Sequence, residues 1–221
     1  MTAPVRFLYL LLFISMPGML MAEESRFVLG IEYQEIIPAQ QTTAPAGKVE
    51  VVELFWYGCG HCYRMEPYLK KWLKTRPDYI HFVRMPAQFN KNWEIHARAY
   101  YAARALGVAE KSHDAFFNEI HQKHKKMLTL DELAAFYLRY GVTREKFVKA
   151  YNSFTTGSRL AHAKGMVQRY GARSVPVFIV NGKYRTNETL AGNKQDLFAV
   201  IDELAKSELN AAAAPDTANA R

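Results

Sequence analysis

The sequence predicts an α/β fold divided in two by an all-helical insertion, and three observations support this. The nearly continuous apolar run at residues 49–57 is typical of a buried strand. A helical pattern and a second strand at 80–85 follow it, as in a parallel strand–helix–strand unit. From 93 to about 151 the patterns are helical. Strand signals return at 177–180, where Asn181-Gly182 predicts a hairpin turn because both positions tolerate positive φ.

The elements next to the apolar strand follow from their local patterns. A short strand is expected within 26–36, where apolar and polar side chains alternate. The first helix is expected over about 61–74, since its large apolar residues recur at helical spacing. Pro77 should end this helix, and Pro67 should kink it because proline removes one backbone hydrogen bond.

The insertion carries its own helix start and stop signals. Helices are expected over 93–106 and 111–126, and Thr129 and Glu132 form a capping box that starts another. A helix over about 158–170 should lead the chain back to the sheet.

The two ends of the chain differ from its centre. Residues 1–22 have the features of a cleavable secretory signal, with Arg6 as the positive region and an apolar stretch at 7–14. A retained N-terminal anchor is the alternative, although this stretch is shorter than the ~20 residues that a spanning helix needs. A last amphipathic helix is expected over 193–209, followed by a flexible tail at 211–221.

Composition limits the possible functions. The chain has 221 residues and is 49% hydrophobic, enough for one large domain with a packed core or for a domain with an insertion. The net charge is +8, but the basic residues are scattered, so we expect a mildly cationic solvated surface and no nucleic-acid partner. An exported chain would enter an oxidising compartment, where a cysteine pair acts as a disulfide.

The only two cysteines, Cys59 and Cys62, form a Cys-Gly-His-Cys motif directly after the apolar strand. Two thiols three positions apart at the start of a helix can close a small, reversible disulfide. Cys59 is the candidate nucleophile, because free backbone N–H groups and the helix dipole stabilise a thiolate there. His61 adds a donor and, when protonated, a positive charge. Cys62 lies one turn inside and should be the buried resolving thiol.

Three other roles for the cysteine pair compete with redox chemistry. A purely structural disulfide that closes a loop of about four residues would lower the entropy of the unfolded chain by an amount worth only ~2 kcal/mol. A zinc site would lack half of its ligands, since there is no second cysteine pair. An inert buried pair is disfavoured by Gly60-His61 between the thiols. The histidines His113, His121 and His124 are interpreted as a solvated helix face, so no metal site is expected.

Glu53 interrupts the apolar strand six residues before Cys59. A buried carboxylate is costly and tends to keep its proton, which favours a role as proton acceptor and donor for Cys62 during exchange. The alternative is an edge residue that reaches solvent or pairs with a base such as Arg84. Val175-Pro176 opens the late strand, and its proline suggests an edge strand or a special turn, including a cis peptide.

Taken together, these residues resemble the thioredoxin superfamily. The resemblance rests on Phe55-x-x-x-Cys59-Gly60-His61-Cys62, on Glu53 upstream, on Pro67 in the first helix, and on Val175-Pro176 before a hairpin strand. With its helical insertion and its signal sequence, the chain is similar to the DsbA branch, the periplasmic thiol oxidases of bacteria. The resemblance implies a thioredoxin fold with an inserted all-helical domain. Residues 23–88 and 158–210 would form the thioredoxin-like domain, and 89–157 the insertion.

The resemblance also implies a role for each motif residue of the redox centre. Cys59 would attack and form the mixed disulfide, and Cys62 would resolve it. His61 would stabilise the Cys59 thiolate, and Glu53 would be the buried acid. Arg84 is the best match for the basic partner that the buried acid often has in this family.

A substrate-binding role is implied for two further residues. Pro176 would be a cis proline that faces Cys59. The backbone of Val175 would pair with a bound peptide in strand fashion.

The implied activity is that of a periplasmic thiol:disulfide oxidoreductase, donating the Cys59–Cys62 disulfide to reduced or unfolded exported polypeptides. Such a protein needs no dissociable cofactor, is expected to be a monomer, and would be reoxidised by a DsbB-like membrane quinone-linked oxidase. The best-known members have Pro at the position of Gly60, and the Gly-His pair is similar to protein disulfide isomerase. An isomerase or reductase kept reduced therefore stays open, as does a peptide-binding chaperone or scaffold whose cysteine pair is not essential.

Overall fold

The computed structural model describes residues 25–213 and shows a five-stranded mixed sheet with helices on both faces. Its strands are β1 Gln34–Glu35, β2 Val49–Phe55, β3 Ile80–Pro86, β4 Val177–Val180 and β5 Tyr184–Thr186. Its helices are α1 Gly60–Thr75, α2 Lys91–Ala105, α3 Ala109–His121, α4 Leu130–Leu138, α5 Arg144–Tyr151, α6 Phe154–Arg169, α7 Glu188–Ala191 and α8 Lys194–Ala213. The expected signal at 1–22 lies outside the described residues, as does most of the expected tail.

The strand order across the sheet is β1-β5-β4-β2-β3. The central strand β2 pairs in parallel with β3 and antiparallel with β4, so that Glu53 is opposite both Arg84 and Phe178. A parallel pair needs a crossover, and α1 supplies it. Because β2 is central, the residues at its end, which lead into Cys59, are held by pairing on both sides.

Each face of the sheet packs against a different set of helices. On one face, Val51 and Leu69 belong to an apolar cluster that joins β2 to α1 and α8. On the other face, Val52 and Ala163 belong to a larger cluster that includes the helices between β3 and β4. The chain therefore forms three layers, and the insertion covers the end of the sheet that carries the cysteines.

Several expected elements have different bounds in the structure. The strand expected within 26–36 is reduced to β1, because a tight turn with Gly30 at φ 90° folds the preceding residues back. The helix expected over 111–126 ends at His121, since His124 and Met127 adopt positive φ, which is incompatible with a helix.

The later helices also differ from expectation. The helix expected over 158–170 begins at Phe154, because the Ser153 side chain accepts a hydrogen bond from the Thr156 N–H and caps it. The last helix continues to Ala213, three residues into the segment expected to be a flexible tail, and the short helix α7 before it was not predicted.

The predicted fold class is confirmed. A β–α–β unit, five helices without an intervening strand in the described stretch between β3 and β4, and a final hairpin and helix form a thioredoxin-like fold with an inserted helical region. None of the helices within 25–213 has the length and apolarity to cross a bilayer.

Candidate active site

Cys59 is the N-cap of α1, directly beyond the end of the central strand. Its backbone is extended, with φ −85° and ψ 114°, and its sulfur accepts a hydrogen bond from the Cys62 N–H at 3.2 Å. The cysteine side chain therefore occupies the place of the serine or aspartate oxygen that usually caps a helix. Cys59 is half-buried, whereas Cys62 has 0% exposure. Only Cys59 is accessible to an incoming sulfur.

The two thiols differ strongly in acidity. A hydrogen bond from the Cys62 thiol is the main cause that lowers the pKa of Cys59 to about 7. The backbone N–H groups of Cys62 and His61 and the charge of Arg64 add to the shift, while burial opposes it. Burial raises the pKa of Cys62 well above its ordinary value, and the neighbouring Cys59 and Glu53 raise it further. The structure thus pairs a nucleophilic thiolate with a thiol that keeps its proton.

The charge that lowers the Cys59 pKa comes from a different residue than the sequence suggests. The His61 side chain is exposed, and the contribution of this residue to the Cys59 pKa comes through its backbone N–H. Arg64, which sequence reasoning missed, supplies the charge. It follows the motif by two residues, so a basic residue in the first turn was the signal that could have identified it. A direct stabilising role for the His61 side chain stays a prediction.

The Val175-Pro176 peptide is cis and lies next to Cys59. The Cys59 thiol donates to the Val175 carbonyl at 3.4 Å, although the two residues are 116 positions apart in the chain. Pro176 precedes β4, which is a central strand, so the special turn was the correct interpretation of this proline and the edge strand was wrong.

Gly58 is needed for the approach to Cys59. A Cβ at this position would lie 2.2 Å from the Trp56 ring, which is too close for any side chain. Trp56 in turn stacks on Trp93 of α2 at 4.2 Å between ring centroids. The turn before the cysteines is therefore packed against the insertion.

Glu53 is completely buried and does not reach solvent, which rules out that part of the alternative reading. Its Oε2 lies 3.2 Å from Nε of Arg84, so the expected basic partner is present. Burial, with the nearby charge of Glu66, raises the pKa of Glu53 to about 8, because these effects exceed the attraction of Arg84. At neutral pH Glu53 therefore holds a proton close to the cysteine pair.

Arg84 is the hub of a buried charged cluster that the sequence did not predict. It contacts three carboxylates, Glu53 at 3.2 Å, Glu66 at 3.5 Å and Glu110 at 2.8 Å. Glu66 lies in α1 and Glu110 in α3, so this one side chain links β3 to α1 and to the insertion. The side chains of Arg84, Glu53 and Glu66 are buried, whereas that of Glu110 is 73% exposed, so the cluster reaches the surface at Glu110.

His113 extends this cluster into the insertion. The Tyr57 hydroxyl donates to its Nδ1 at 3.0 Å, and its Nε2 lies 3.1 Å from Glu66. Burial lowers the pKa of His113, so the neutral ring donates through Nε2 and accepts through Nδ1. Burial opposes ionisation of Glu66, but the hydrogen bond from His113 and the charge of Arg84 outweigh it and lower its pKa.

The interpretation of the insertion histidines as a solvated helix face is wrong for two of the three. His113 is buried, and His121 is half-buried, with its Nε2 2.8 Å from the Tyr57 carbonyl. The reason is that this face of α3 packs against the segment before the cysteines and against α1. The described residues contain no cluster of three ligands that could hold a metal.

Comparison with known proteins gives consistent matches. Residues 50–204 match the family described as DSBA-like thioredoxin domain. The thiol:disulfide interchange protein DsbA of Pseudomonas aeruginosa is 39% identical over 191 residues, covering 86% of this chain and 90% of that protein. The protein of the same name from Azotobacter vinelandii is 38% identical over 207 residues, covering 88% and 97%. The crystal structure of Pseudomonas aeruginosa DsbA matches with a TM-score of 0.80 at 39% identity, covering 85% of this chain and 97% of that one.

Proposed function

The chain belongs to the DsbA family of thiol:disulfide interchange proteins, and from that premise we propose how its residues divide the work. It is a disulfide-forming oxidoreductase with a redox pair, Cys59 and Cys62, and its substrates are proteins. The observation that carries the assignment of roles is the contrast between the two thiols. One is accessible with a pKa of about 7, and the other is fully buried with a raised pKa.

The reaction begins with the Cys59–Cys62 disulfide. A client thiolate attacks the accessible Cys59 sulfur, the bond to Cys62 breaks, and Cys62 leaves with the electron pair. A second client thiolate then attacks the client sulfur of the mixed disulfide and releases Cys59 as a thiolate. The client loses two electrons and two thiol protons; the protein gains the two electrons and one proton, which ends on Cys62, and the other proton goes to solvent. The low pKa of Cys59 makes it the better final leaving group.

Glu53 supplies the proton that the buried Cys62 needs when it leaves. With a pKa of about 8 the carboxyl group is protonated at neutral pH, and its charge would otherwise repel a Cys62 thiolate. After the transfer, Arg84 stabilises the Glu53 carboxylate at 3.2 Å. Transfer from Glu53 to Cys62 is favourable, because the pKa of Cys62 is raised well above its ordinary value whereas that of Glu53 is about 8.

Client binding is assigned to the turn before β4. The Val175 carbonyl lies beside the Cys59 sulfur, so an extended client segment that pairs with the Val175 backbone would bring its cysteine to Cys59. Pro176 shapes this turn, and His61, exposed at the start of α1, contacts the bound client and stabilises the Cys59 thiolate.

The site of action is the periplasm, after cleavage of residues 1–22, and reoxidation is by a DsbB-like membrane quinone-linked oxidase. Residues 23–88 and 158–210 act as the redox domain, with 89–157 as its helical cover. Sequencing of the mature N-terminus should give Glu23 from the periplasmic fraction. A full-length protein that stays with the membrane would overturn this localisation.

Rapid mixing of the oxidised protein with a peptide that contains two thiols tests the assignment of roles. Glu53→Gln should slow release of Cys62 and flatten the rate profile between about pH 5 and pH 8, because the proton donor is lost. Cys59→Ser should abolish turnover. Cys62→Ser cannot form the starting disulfide, so it is mixed in its reduced form with the oxidised peptide; Cys59 should attack the peptide disulfide and give a mixed disulfide that no Cys62 thiol can resolve. Wild-type rates for Glu53→Gln across this range would remove Glu53 from the mechanism.

A further inference from the structure

The outer edge of β3 is unpaired. This strand is last in the order β1-β5-β4-β2-β3 and pairs only with β2. The Val49 N–H donates to the Tyr79 carbonyl, and the Ala87 N–H donates to the Phe55 carbonyl. In a parallel ladder alternate residues direct both backbone groups to the same neighbour, so residues 79, 81, 83, 85 and 87 face β2. The backbone N–H and carbonyl groups of residues 80, 82 and 84 therefore point away from β2, toward the free edge of the sheet.

The outward backbone groups of β3 are mostly free. The Ile80 N–H donates to the Pro77 carbonyl, and the Arg84 carbonyl accepts from the Tyr100 hydroxyl at 3.3 Å. Within residues 25–213, neither the N–H nor the carbonyl of Phe82 has a hydrogen-bond partner, and the Arg84 N–H has none either. These groups have the spacing that an added antiparallel strand would use.

The space beside this edge is open on both faces of the sheet. A cleft of about 720 Å³ lies on one side and a smaller one of about 300 Å³ on the other, and both are lined by Val83 and Arg104. The larger cleft is bordered by Phe154, a residue that is 91% exposed. An extended chain could therefore lie along β3 and place alternate side chains in the two clefts.

The charges that line the clefts are predominantly positive. Arg104 and Arg159 line the larger cleft, and neither forms an ion pair within the described part of the chain. The acids nearby are already engaged. Glu110 pairs with Arg84, and the buried Glu50 accepts from the Thr43 N–H at 2.8 Å. A chain seated here would thus meet cations that lack a counter-charge.

We propose that the free edge of β3 and the cationic cleft beside it bind an extended, acidic segment of another polypeptide by strand addition. The backbone of Phe82 supplies the pairing, and Arg104 and Arg159 receive carboxylates from alternate positions, whose side chains enter the larger cleft. The two cysteines are not among the residues that line either cleft, although Arg84, the partner of Glu53, lines both.

The test uses a labelled, cysteine-free nonapeptide in which Glu alternates with Val, and fluorescence anisotropy with the full protein. Arg104→Glu with Arg159→Glu should weaken binding at least about tenfold, because two attractions become repulsions. The matched control is Lys146→Glu with Lys149→Glu, which makes the same charge change on exposed α5 residues and should leave affinity within about twofold. Melting curves of both variants verify that they fold.

Backbone pairing is tested on the wild-type protein alone, independently of any variant. Methylation of alternate peptide amides should abolish binding in one register and be tolerated in the other, since only one set faces β3. The Phe82 amide should also exchange its hydrogen more slowly when the peptide is bound. Two results would overturn the proposal: an equal loss of peptide affinity in both double variants, or a peptide affinity that methylation changes in neither register. Either would indicate only general attraction to a basic protein.

Discussion

Replacing Glu53 by Gln should stabilise the protein at alkaline pH and have little effect in acid. Glu53 is fully buried, and its pKa is raised from 4.5 to about 8. A folded-state pKa above the unfolded value means that the folded protein holds the proton more tightly. The resulting stability is fully present below about pH 4.5 and is lost as pH rises through about 8. Glutamine mimics the protonated acid and cannot lose that stability.

The magnitude follows from the width of the shift. Between about pH 5 and pH 8 the folded protein holds one more proton than the unfolded chain, and each pH unit corresponds to about 1.4 kcal/mol. The advantage of Glu53→Gln in the free energy of unfolding should therefore grow by roughly 3.5 kcal/mol across this range, slightly less than three full units because the excess falls below one proton at both ends. Because the group is completely buried, no discount for solvent screening applies.

Urea unfolding of the reduced protein at several pH values provides the measurement. Glu66→Gln is the matched control, since it removes a carboxylate from the same cluster whose pKa is lowered instead of raised. This control should be destabilised at neutral pH, and its deficit should shrink on acidification. If the advantage of Glu53→Gln were the same at both ends of the range, Glu53 would not be protonated in the folded state, and the proton-transfer step would have to be abandoned.

Three further changes test separate parts of the site. Gly60→Pro should stabilise the folded protein by about 0.4–1 kcal/mol in thermal melts. Residue 60 is the first of α1, where proline is accepted, and the N–H groups that donate to Cys59 belong to the next two residues. A loss of stability would contradict this. Cys62→Ala should raise the pKa of Cys59 in thiolate titrations, since the main hydrogen bond is lost, whereas Cys62→Ser should raise it less. His113→Phe should cost roughly 3 kcal/mol in urea unfolding, because two buried partners lose their hydrogen bonds, while the exposed control His162→Phe should be neutral.

The sequence predicted the parts of the fold that local patterns determine. The buried strand before Cys59, its helix and the capping box at Thr129 were all identifiable, because periodicity and cap residues are short-range signals. Element ends were less predictable. The loop after His121 depends on two residues with positive φ, which nothing in their side chains indicates.

The candidate site shows the same division. The cysteines, Glu53 and the late proline were found from sequence, and Arg84 was named as a partner. The roles of Glu66 and His113 could not be predicted, since both depend on how the insertion packs against α1. A histidine on a helix is interpreted as solvent-exposed unless the residues that cover it are known. His113 is covered by Glu66 and Tyr57, which lie 47 and 56 positions earlier in the chain.

The acidity of Cys59 is the most direct test of the whole account. The ultraviolet absorbance of the thiolate should be followed against pH in the reduced protein, with alkylation and mass spectrometry to identify the residue that ionises first. We expect an inflection near pH 7 that belongs to Cys59, while Cys62 stays a thiol throughout the neutral range. A first inflection at the ordinary thiol value of ~8.5, or first alkylation at Cys62, would contradict it.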